Sequence, residues 1–465
     1  MVLQVVSGGL LDLSISDRRS KDWDSLSSYE WTELQGLPVA LASPSVVVLS
    51  NGDVLVTGGL TPNGPTSATE IFDSKLGVWR PGPAMGSKRV GHTATLLSDG
   101  TVLIIGGETG SGITATSERL NITKSATLPL APMSFARAGH AAALLEDGTV
   151  VVAGGTDLTN TWKQAERYDP ARNAWTPAGS MSQPRAFFSM TLSGGMPLAI
   201  GGDGTGTSEK YDPSKNSWSG VAKMDSARSK FGIASLKNGK LIVAGGLVGG
   251  KPAKSAEIYD PGGNTWVTAA DMLSPRADFS LSALRTGHVL AAGSYSALGA
   301  TDTTELFDPE TSQWTSGKPM NHSRGSSGSA VLGSGAVLVI GGRNGDAIIS
   351  SVELFSPAGI SPPRFCQPKD IIPLVMKATE LPGNSANGLI AKLLAAQAKY
   401  ETRDFEVCIN IMNAFNGQLK AFTRSGHISG AHSSELYDAY ASVVICLGGT
   451  PQPMPLIVSA TAARR

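Results

Sequence analysis

The chain has 465 residues, carries 38 basic and 38 acidic side chains, and has only 16% charged residues. Because the net charge is zero, no electrostatic argument favours nucleic acid, and we expect no nucleic-acid partner. No stretch reaches the ~18 apolar residues of a transmembrane helix, so we expect no membrane span. The 55 glycines suit a turn-rich β protein, and the length leaves room for one large domain and one small domain.

Residues 1–28 form an N-terminal extension with neither a basic leader nor a sustained apolar core. A signal peptide is therefore not visible, and the residues themselves leave the localisation open. The next segment, Tyr29 to Leu34, has the pattern of a β-strand around Trp31. It precedes the first repeat, which begins near Ser45.

A glycine pair marks a unit that recurs seven times at intervals of 44 to 48 residues. Such a period indicates one supersecondary structure built repeatedly along the chain. In the sixth pair, serine replaces the second glycine. The seven pairs are Gly58-Gly59, Gly106-Gly107, Gly154-Gly155, Gly201-Gly202, Gly245-Gly246, Gly293-Ser294 and Gly341-Gly342.

The repeat that contains Gly154-Gly155 shows that the unit consists of four short strands. An apolar run that begins at His140 ends in the turn Asp147-Gly148, and a β-branched run then ends in the glycine pair. A third run closes at the Asp169-Pro170 turn, and a fourth carries Trp175. Runs that are this short and β-branched favour strands over helices.

Three other features keep the same register in most repeats. A glutamate begins the third strand, a tryptophan lies in the fourth, and an arginine follows a methionine by four residues. The arginines are Arg89, Arg137, Arg185, Arg228, Arg276 and Arg324, and the glutamates that follow them are Glu118, Glu166, Glu209, Glu257, Glu305 and Glu353.

A four-stranded sheet cannot bury both of its faces alone, so neighbouring repeats must stack, and a closed ring hides the last edge. Radial repetition of such sheets gives a β-propeller. The glycine pairs, the glutamate strand and the spaced tryptophans and methionines resemble the kelch repeat over residues 29–357. We predict a mainly β fold, a seven-bladed β-propeller of four-stranded antiparallel blades. The last repeat lacks its outer strand, so the N-terminal strand with Trp31 is expected to complete blade seven.

A small C-terminal all-α domain is predicted after the propeller. Residues 358–370 form a proline-rich linker, and the hydrophobic period then changes to about 3.6 over residues 371–448. Helices are expected near 386–402, 404–423 and 433–447, followed by a tail over 449–465. Leu389, Leu393 and Leu394 are expected on one face of the first helix, and Met412 and Phe415 on one face of the second.

Parts of these helices resemble the FIMAH domain. The stretches concerned are 389–394, Asn413-Ala414-Phe415 followed by Gln418 and Phe422, and 426–429. That family is typically appended to secreted bacterial proteins, so the resemblance implies an extracellular or periplasmic setting.

The three cysteines all lie outside the propeller. Cys408 and Cys446 fall on the inward faces of two predicted helices, where they are either two small buried residues or a disulfide. Because the number of cysteines is odd, Cys366 is left unpaired in either case.

The kelch resemblance raises the question of catalysis, because kelch-type propellers include copper-radical oxidases whose site needs histidines, tyrosines and a cysteine. This propeller has no cysteine. His92 and His140 occupy a slot that Phe188 and Phe231 fill in other repeats, so we interpret them as packing residues, and we expect His322 in solvent. We predict no catalytic residue, no metal site and no cofactor.

The six repeat arginines have two competing interpretations. In the structural one, each arginine pairs with a repeat glutamate and satisfies a buried charge. In the functional one, part of the ring of arginines faces the mouth of the propeller and binds carboxylates or other anions.

The loops after the glycine pairs are rich in Gly, Thr, Asn and Ser, and we expect them to carry any binding surface. Trp162 and Tyr295 are their aromatic anchors. The leading hypothesis is a monomeric, non-catalytic propeller that binds a protein or carbohydrate partner, with the helical domain as a docking module. The alternative is a sugar-modifying enzyme similar to kelch-type sialic-acid mutarotases, with Asp203, Asp302 and Asp346 as unranked acid/base candidates.

Overall fold

The computed structural model describes residues 29–74, 77–296, 299–357, 383–401, 405–424, 436–437 and 440. The chain divides into two compact units, and the propeller and the C-terminal helices are described separately below.

The propeller contains 34 strands in the residues that the structure describes. In chain order they are β1 (Tyr29–Leu34), β2 (Ser45–Val48), β3 (Val54–Thr57), β4 (Leu60–Thr61), β5 (Gly64–Pro65), β6 (Thr69–Asp73), β7 (Val78–Pro81), β8 (Thr93–Leu96), β9 (Val102–Ile105), β10 (Ser117–Asn121), β11 (Ala126–Leu130), β12 (Ala141–Leu144), β13 (Val150–Ala153), β14 (Gln164–Asp169), β15 (Ala174–Ser180), β16 (Ser189–Ser193), β17 (Met196–Ile200), β18 (Ser208–Asp212), β19 (Ser217–Val221), β20 (Gly232–Ser235), β21 (Leu241–Ala244), β22 (Leu247–Val248), β23 (Lys251–Pro252), β24 (Ala256–Asp260), β25 (Thr265–Ala269), β26 (Ser280–Ala283), β27 (Val289–Ser296), β28 (Gly299–Asp308), β29 (Gln313–Ser316), β30 (Gly328–Val331), β31 (Val337–Ile340), β32 (Arg343–Asn344), β33 (Ala347–Ile348) and β34 (Val352–Pro357).

These strands form seven four-stranded antiparallel sheets, which confirms the predicted seven-bladed propeller. Three short hairpins, β4-β5, β22-β23 and β32-β33, lie in loops that follow glycine pairs. The first strands of neighbouring blades contact each other, so they line the inside of the ring. The blades, in order, are β2-β3-β6-β7, β8-β9-β10-β11, β12-β13-β14-β15, β16-β17-β18-β19, β20-β21-β24-β25, β26-β27-β28-β29 and β30-β31-β34-β1.

The N-terminal strand closes the ring, as predicted. Strand β1 pairs antiparallel with β34, and Trp31 lies opposite Phe355 with ring centroids 5.0 Å apart. The Trp31 indole N–H donates to the carbonyl of Lys318 at 2.9 Å. His322 is exposed, as expected, and its Nε2 lies 3.0 Å from the Glu33 carboxylate of the same N-terminal strand. The first and last segments of the propeller therefore share one sheet.

Tryptophans on the outer strands repeat the same contacts in other blades. In blade five, Trp266 packs on Tyr259 with centroids 5.1 Å apart, and its indole N–H donates to the Ala222 carbonyl of blade four at 2.9 Å. Blade two has Leu128 instead, and this side chain is 58% exposed. In blades three to seven, the tryptophan of the outer strand therefore joins the blade to the preceding one.

The described residues of the C-terminal unit include two long helices. They are α1 (Gly383–Glu401) and α2 (Phe405–Arg424), close to the predicted bounds. Leu389, Leu393, Met412 and Phe415 are buried, as expected, but Leu394 is 55% exposed because it lies one residue past the buried stripe.

Other expectations for the C-terminal region lie mostly outside the described residues. Of the predicted third helix, only residues 436–437 and 440 are described, and they are helical. The linker, the tail and the side chains of Cys366, Cys408 and Cys446 lie outside what the structure describes, so the FIMAH resemblance stays a prediction. Neither described helix has the length and hydropathy that a membrane span requires.

Candidate binding face

Each glycine pair brings the end of a second strand against the next blade. Gly245 and Gly246 have φ angles of 61° and 87°, in the left-handed region that glycine adopts without strain. A Cβ on Gly245 would lie 2.5 Å from the carbonyl oxygen of Arg276 in blade six, to which the Gly246 N–H donates at 2.8 Å. We call the propeller face at this end of the second strands the glycine-pair face.

Arg228 shows how a repeat arginine is held. Its Nη1 donates to the carbonyls of Gly245 and Ser255, both at 2.8 Å. Its Nη2 lies 2.7 Å from Glu257 Oε1, and Glu257 Oε2 accepts a hydrogen bond from the amide of Asp225 at 2.7 Å. The two side chains are 0% and 3% exposed, so this is a buried, multiply hydrogen-bonded ion pair.

All six arginines make the same kind of pair, as the structural interpretation predicted. No arginine side chain among them is more than 1% exposed, and a dissolved anion cannot reach a guanidinium with no exposed surface. This burial favours the structural role over anion binding. The pairs are Arg89–Glu118, Arg137–Glu166 at 3.0 Å, Arg185–Glu209 at 2.7 Å, Arg228–Glu257 at 2.7 Å, Arg276–Glu305 at 2.8 Å and Arg324–Glu353 at 2.6 Å.

Blade one lacks this pair. Its glutamate, Glu70, is 8% exposed, and Leu41 stands 29 residues earlier, where an arginine stands in most blades. Pro38 occupies the position of the amide donor and has no N–H. Among the described residues, Glu70 Oε2 is buried without a hydrogen-bond partner. Burial raises the pKa of Glu70 above its ordinary value of 4.5.

The two histidines next to the arginines pack inside the blades. His92 and His140 are 2% and 0% exposed, and their Nε2 atoms lie 2.9 Å from Thr57 Oγ1 and 3.0 Å from Thr93 Oγ1. Burial, together with the charge of Arg89, lowers the pKa of His92 to about 3, so this imidazole is neutral. The packing role predicted for both side chains agrees with this geometry.

Trp162 lies on a loop, whereas Tyr295, expected on a loop, lies near the end of β27; both are at the glycine-pair face but three blades apart, in blades three and six. Trp162 is half-buried: its ring packs on Phe135 with centroids 4.9 Å apart, and its indole N–H donates to the Ala136 carbonyl at 2.9 Å. The Tyr295 amide donates to the carbonyl of Ala277 at 2.9 Å. The two aromatic anchors therefore belong to one face but not to one cluster.

A ring of backbone hydrogen bonds surrounds the axis on this face. One residue per blade, two positions before the first strand, has a left-handed φ between 49° and 68°. Six N–H···O=C bonds of 2.7 to 3.1 Å join these residues from blade to blade. We call this set the axial ring. Its members are Ser43, Gly91, Gly139, Phe187, Lys230, Asp278 and Ser326.

The side chains of the axial ring differ between its two halves. Phe187 is 39% exposed, and the Lys230 ammonium lies 5.5 Å from its ring centroid. The same ammonium lies 3.7 Å from Asp278 Oδ2, which accepts a hydrogen bond from the Ser326 hydroxyl at 2.9 Å. Blades two and three have glycines at these positions, so the polar and aromatic groups gather on one side of the mouth.

The axial ring was not predicted from the sequence. Its members lie two residues after the repeat arginines, so the register could have located them. Their residue types do not indicate a left-handed backbone, because phenylalanine and lysine rarely adopt one.

A surface cleft of about 410 Å³ lies at the opposite end of the second strands, lined by residues that include Asp147, Arg167 and Asp212. Arg167 and Asp147 pair with each other there, so their charges are already satisfied. Among the described residues, no three His, Cys, Asp or Glu side chains lie close enough together to hold a metal ion.

Comparisons with known proteins agree with the fold. The Kelch motif matches residues 42–86 and 234–273. A comparison with curated proteins finds no match. Among solved structures, a fungal alcohol oxidase of the AA5 family, determined in complex with copper, is similar with a TM-score of 0.59 and 19% identity, over 73% of this chain and 77% of its own. At that identity the similarity shows the fold alone. This chain thus carries the Kelch motif and folds as a seven-bladed β-propeller similar to the galactose oxidase-like fold.

Proposed function

We propose that this protein is a non-catalytic binding scaffold that holds a protein or carbohydrate partner on its glycine-pair face. The observation that carries the proposal is the contrast between two sets of polar groups. The repeat arginines and glutamates pair with each other inside the blades and are buried. The axial ring and the loops around it, in contrast, expose side chains that differ from blade to blade.

Loops that vary on a rigid repeated frame are a common place for recognition. Trp162 is fixed by its hydrogen bond to Ala136 and by Phe135, so it presents a partly exposed, pre-oriented indole. Rigid aromatic side chains lose little entropy on binding and often carry much of the interface energy. Trp162 and Tyr295 are therefore the anchors that we propose for a partner wide enough to span the face.

The enzyme alternative has less support from the acid/base candidates. Asp203 lies 3.4 Å from the Arg185 guanidinium with both side chains fully buried, and it accepts hydrogen bonds from the amides of Thr205 and Gly206 at 3.1 and 3.0 Å. This carboxylate is engaged in holding the short loop of blade four. No comparable structural role is assigned to Asp302 or Asp346, so both remain acid/base candidates for the enzyme alternative.

The proposal is tested by applying the full chain to an array of glycans and peptides. We expect a specific ligand, with the signal reduced at least about tenfold by Trp162→Ala or Tyr295→Ala, since loss of an aromatic anchor costs ~2 kcal/mol or more. Val267→Ala is the matched control, because Val267 is 53% exposed on an outer strand. The proposal fails if no ligand binds, or if only the control variant reduces binding.

A further inference from the structure

We propose that the surface cleft between blades three and four, at the opposite end of the second strands, binds an arginine side chain of a partner protein. This cleft is separate from the glycine-pair face, so the inference goes beyond the proposed function and does not depend on it. It rests on the lining of the cleft, the charges around it and the equivalent positions between other blades.

The cleft, of about 410 Å³, is open because the inner turn of blade four carries no side chains. Strands β16 and β17 are joined by Gly194-Gly195 alone, whereas residues 145–149 join the equivalent strands of blade three. Leu145, Met196 and Pro213 add apolar groups to the lining. The cleft therefore suits the aliphatic part of a long side chain whose polar end stays in water.

One carboxylate at the cleft is exposed and open to a cation. Oε1 of Glu146 is 2.7 Å from the place that a Cβ on Gly195 would occupy, so this side chain extends from blade three over the turn of blade four. Among the described residues, the exposed carboxylate of Glu146 has no hydrogen bond and no ion pair. A ligand can therefore reach it without displacing another group.

The charges at the cleft favour a cation. Three carboxylates and one guanidinium line it, and the guanidinium is already paired with one of the carboxylates, which leaves Glu146 and Asp212. Hydrogen bonds from Ser214 and Lys215 lower the pKa of Asp212 to about 2, so this carboxylate is ionised at neutral pH. Lys215 is 76% exposed, and an exposed ion pair of this kind is weak enough to be exchanged for a ligand.

The equivalent positions between other blades are not acidic. In blades two, three, five and six, the residue after the buried leucine of the inner turn lies over a turn glycine of the next blade. These four residues are Ser98, Glu146, Lys237 and Arg285. A cation is therefore attracted to the junction of blades three and four, and it is repelled by the basic residue at the two later junctions.

Arginine matches this cleft better than a metal ion does. Among the described residues, no three carboxylates lie close enough together to coordinate a metal. A guanidinium has five N–H donors in a planar fork and can bind one carboxylate through two of them. Its aliphatic stem can lie on Met196 and Pro213. Lysine ends in a compact ammonium, so we expect it to bind more weakly than arginine.

The test uses the full chain and three probes, the Nα-acetyl amides of arginine, citrulline and lysine. Citrulline has the shape of arginine without its charge. Titrations followed by saturation-transfer NMR at low ionic strength give the affinities. We expect arginine to bind, lysine to bind more weakly, and citrulline to bind at least about fivefold more weakly than arginine. The affinity for arginine should fall as NaCl is raised to about 0.5 M.

Glu146→Gln should weaken arginine binding about fivefold, and Glu146→Lys should abolish it. Both variants should keep the wild-type melting curve, because the side chain is exposed. Lys237→Gln is the matched control, since it changes the equivalent residue of blade five and should leave the affinity unchanged. The inference is overturned if arginine does not bind, if citrulline binds as tightly, if both Glu146 variants keep the wild-type affinity, or if Lys237→Gln weakens binding as much as they do.

Discussion

The amide of Phe187 donates a hydrogen bond to the carbonyl of Gly139 at 2.9 Å, and these two residues hold equivalent places in neighbouring blades. Their φ angles, 53° and 62°, are nearly the same, yet one residue is phenylalanine and the other is glycine. The pair is therefore an internal comparison of the same backbone with and without a side chain.

The first prediction follows from this pair. Phe187→Gly should raise the free energy of unfolding by about 1 kcal/mol, because it removes the left-handed cost of a side chain. Gly139→Ala should lower the free energy of unfolding, since its Cβ would both adopt left-handed backbone and meet the Phe187 ring. Urea denaturation of both variants measures this. A clear loss of stability in Phe187→Gly would mean that the phenylalanine is kept for packing.

A second prediction concerns the buried pair Arg228–Glu257. Arg228→Met should destabilise the protein by ~3 to 5 kcal/mol, because it leaves the Glu257 carboxylate buried without its partner. The double variant Arg228→Met with Glu257→Gln should recover part of that loss. Arg172→Met is the control, because Arg172 is 82% exposed and its pair with Asp169 should contribute less than about 1 kcal/mol.

Denaturation curves and ligand binding should be measured together for these variants. If Arg228→Met kept its stability but lost its ligand, the arginine would act at the binding site and the structural interpretation would be wrong.

The third prediction is a pH dependence at blade one. The pKa of Glu70 is raised by burial, so the folded protein holds this proton more tightly than the unfolded chain does. The resulting stabilisation is complete below pH ~4.5 and is lost as the pH rises through the pKa of folded Glu70. Glu70→Gln should therefore be more stable than the wild type at pH 7 to 8, with a smaller difference at pH 4.

Glu118→Gln provides the opposite case, because Glu118 pairs with Arg89. That variant should be less stable than the wild type at pH 7. Melting temperatures from pH 4 to pH 8 distinguish the two, and a Glu70→Gln protein that is destabilised at pH 7 would show that Glu70 has a stabilising partner.

The fourth prediction tests ring closure. A chain that begins at Ser43 lacks β1 and exposes the edge of β34, because β1 is the strand that pairs with that edge. We expect a lower melting temperature, loss of a single cooperative transition, and association that grows with protein concentration. Light scattering alongside calorimetry measures both effects. An unchanged melting curve for the shortened chain would contradict closure by the N-terminal strand.

Much of the fold could be predicted because the repeat contains residues whose backbone conformation or pairing partner is tightly constrained. Gly245 and Gly246 need a backbone that other residues resist, and Arg228 needs a carboxylate at a fixed distance along the chain. The strand around Trp31 could be recognised as the missing outer strand of blade seven, because the last repeat ends without one. The burial of the arginines agrees with the structural interpretation that the register suggested.

The candidate site was less accessible to sequence reasoning. Phe187 and Lys230 carry no motif, and their left-handed backbone arises from the ring of bonds around the axis, which forms only when all blades are in place. Leu41 could have been found, since it stands 48 residues before Arg89. That Glu70 is then buried without a cation to pair with does not follow from the spacing alone, because it depends on how deeply the carboxylate is buried.

The central claim is that ligands bind on the glycine-pair face, at and around the axial ring. Amide hydrogen exchange of the full chain, with and without the ligand that gives the strongest array signal, tests it most directly. We predict slower exchange in the loops of residues 156–164 and 247–255 and at positions 187–189 and 278–280, with no change in the outer strands. Protection confined to the outer strands or to the C-terminal helices, with the axial ring unaffected, would contradict it.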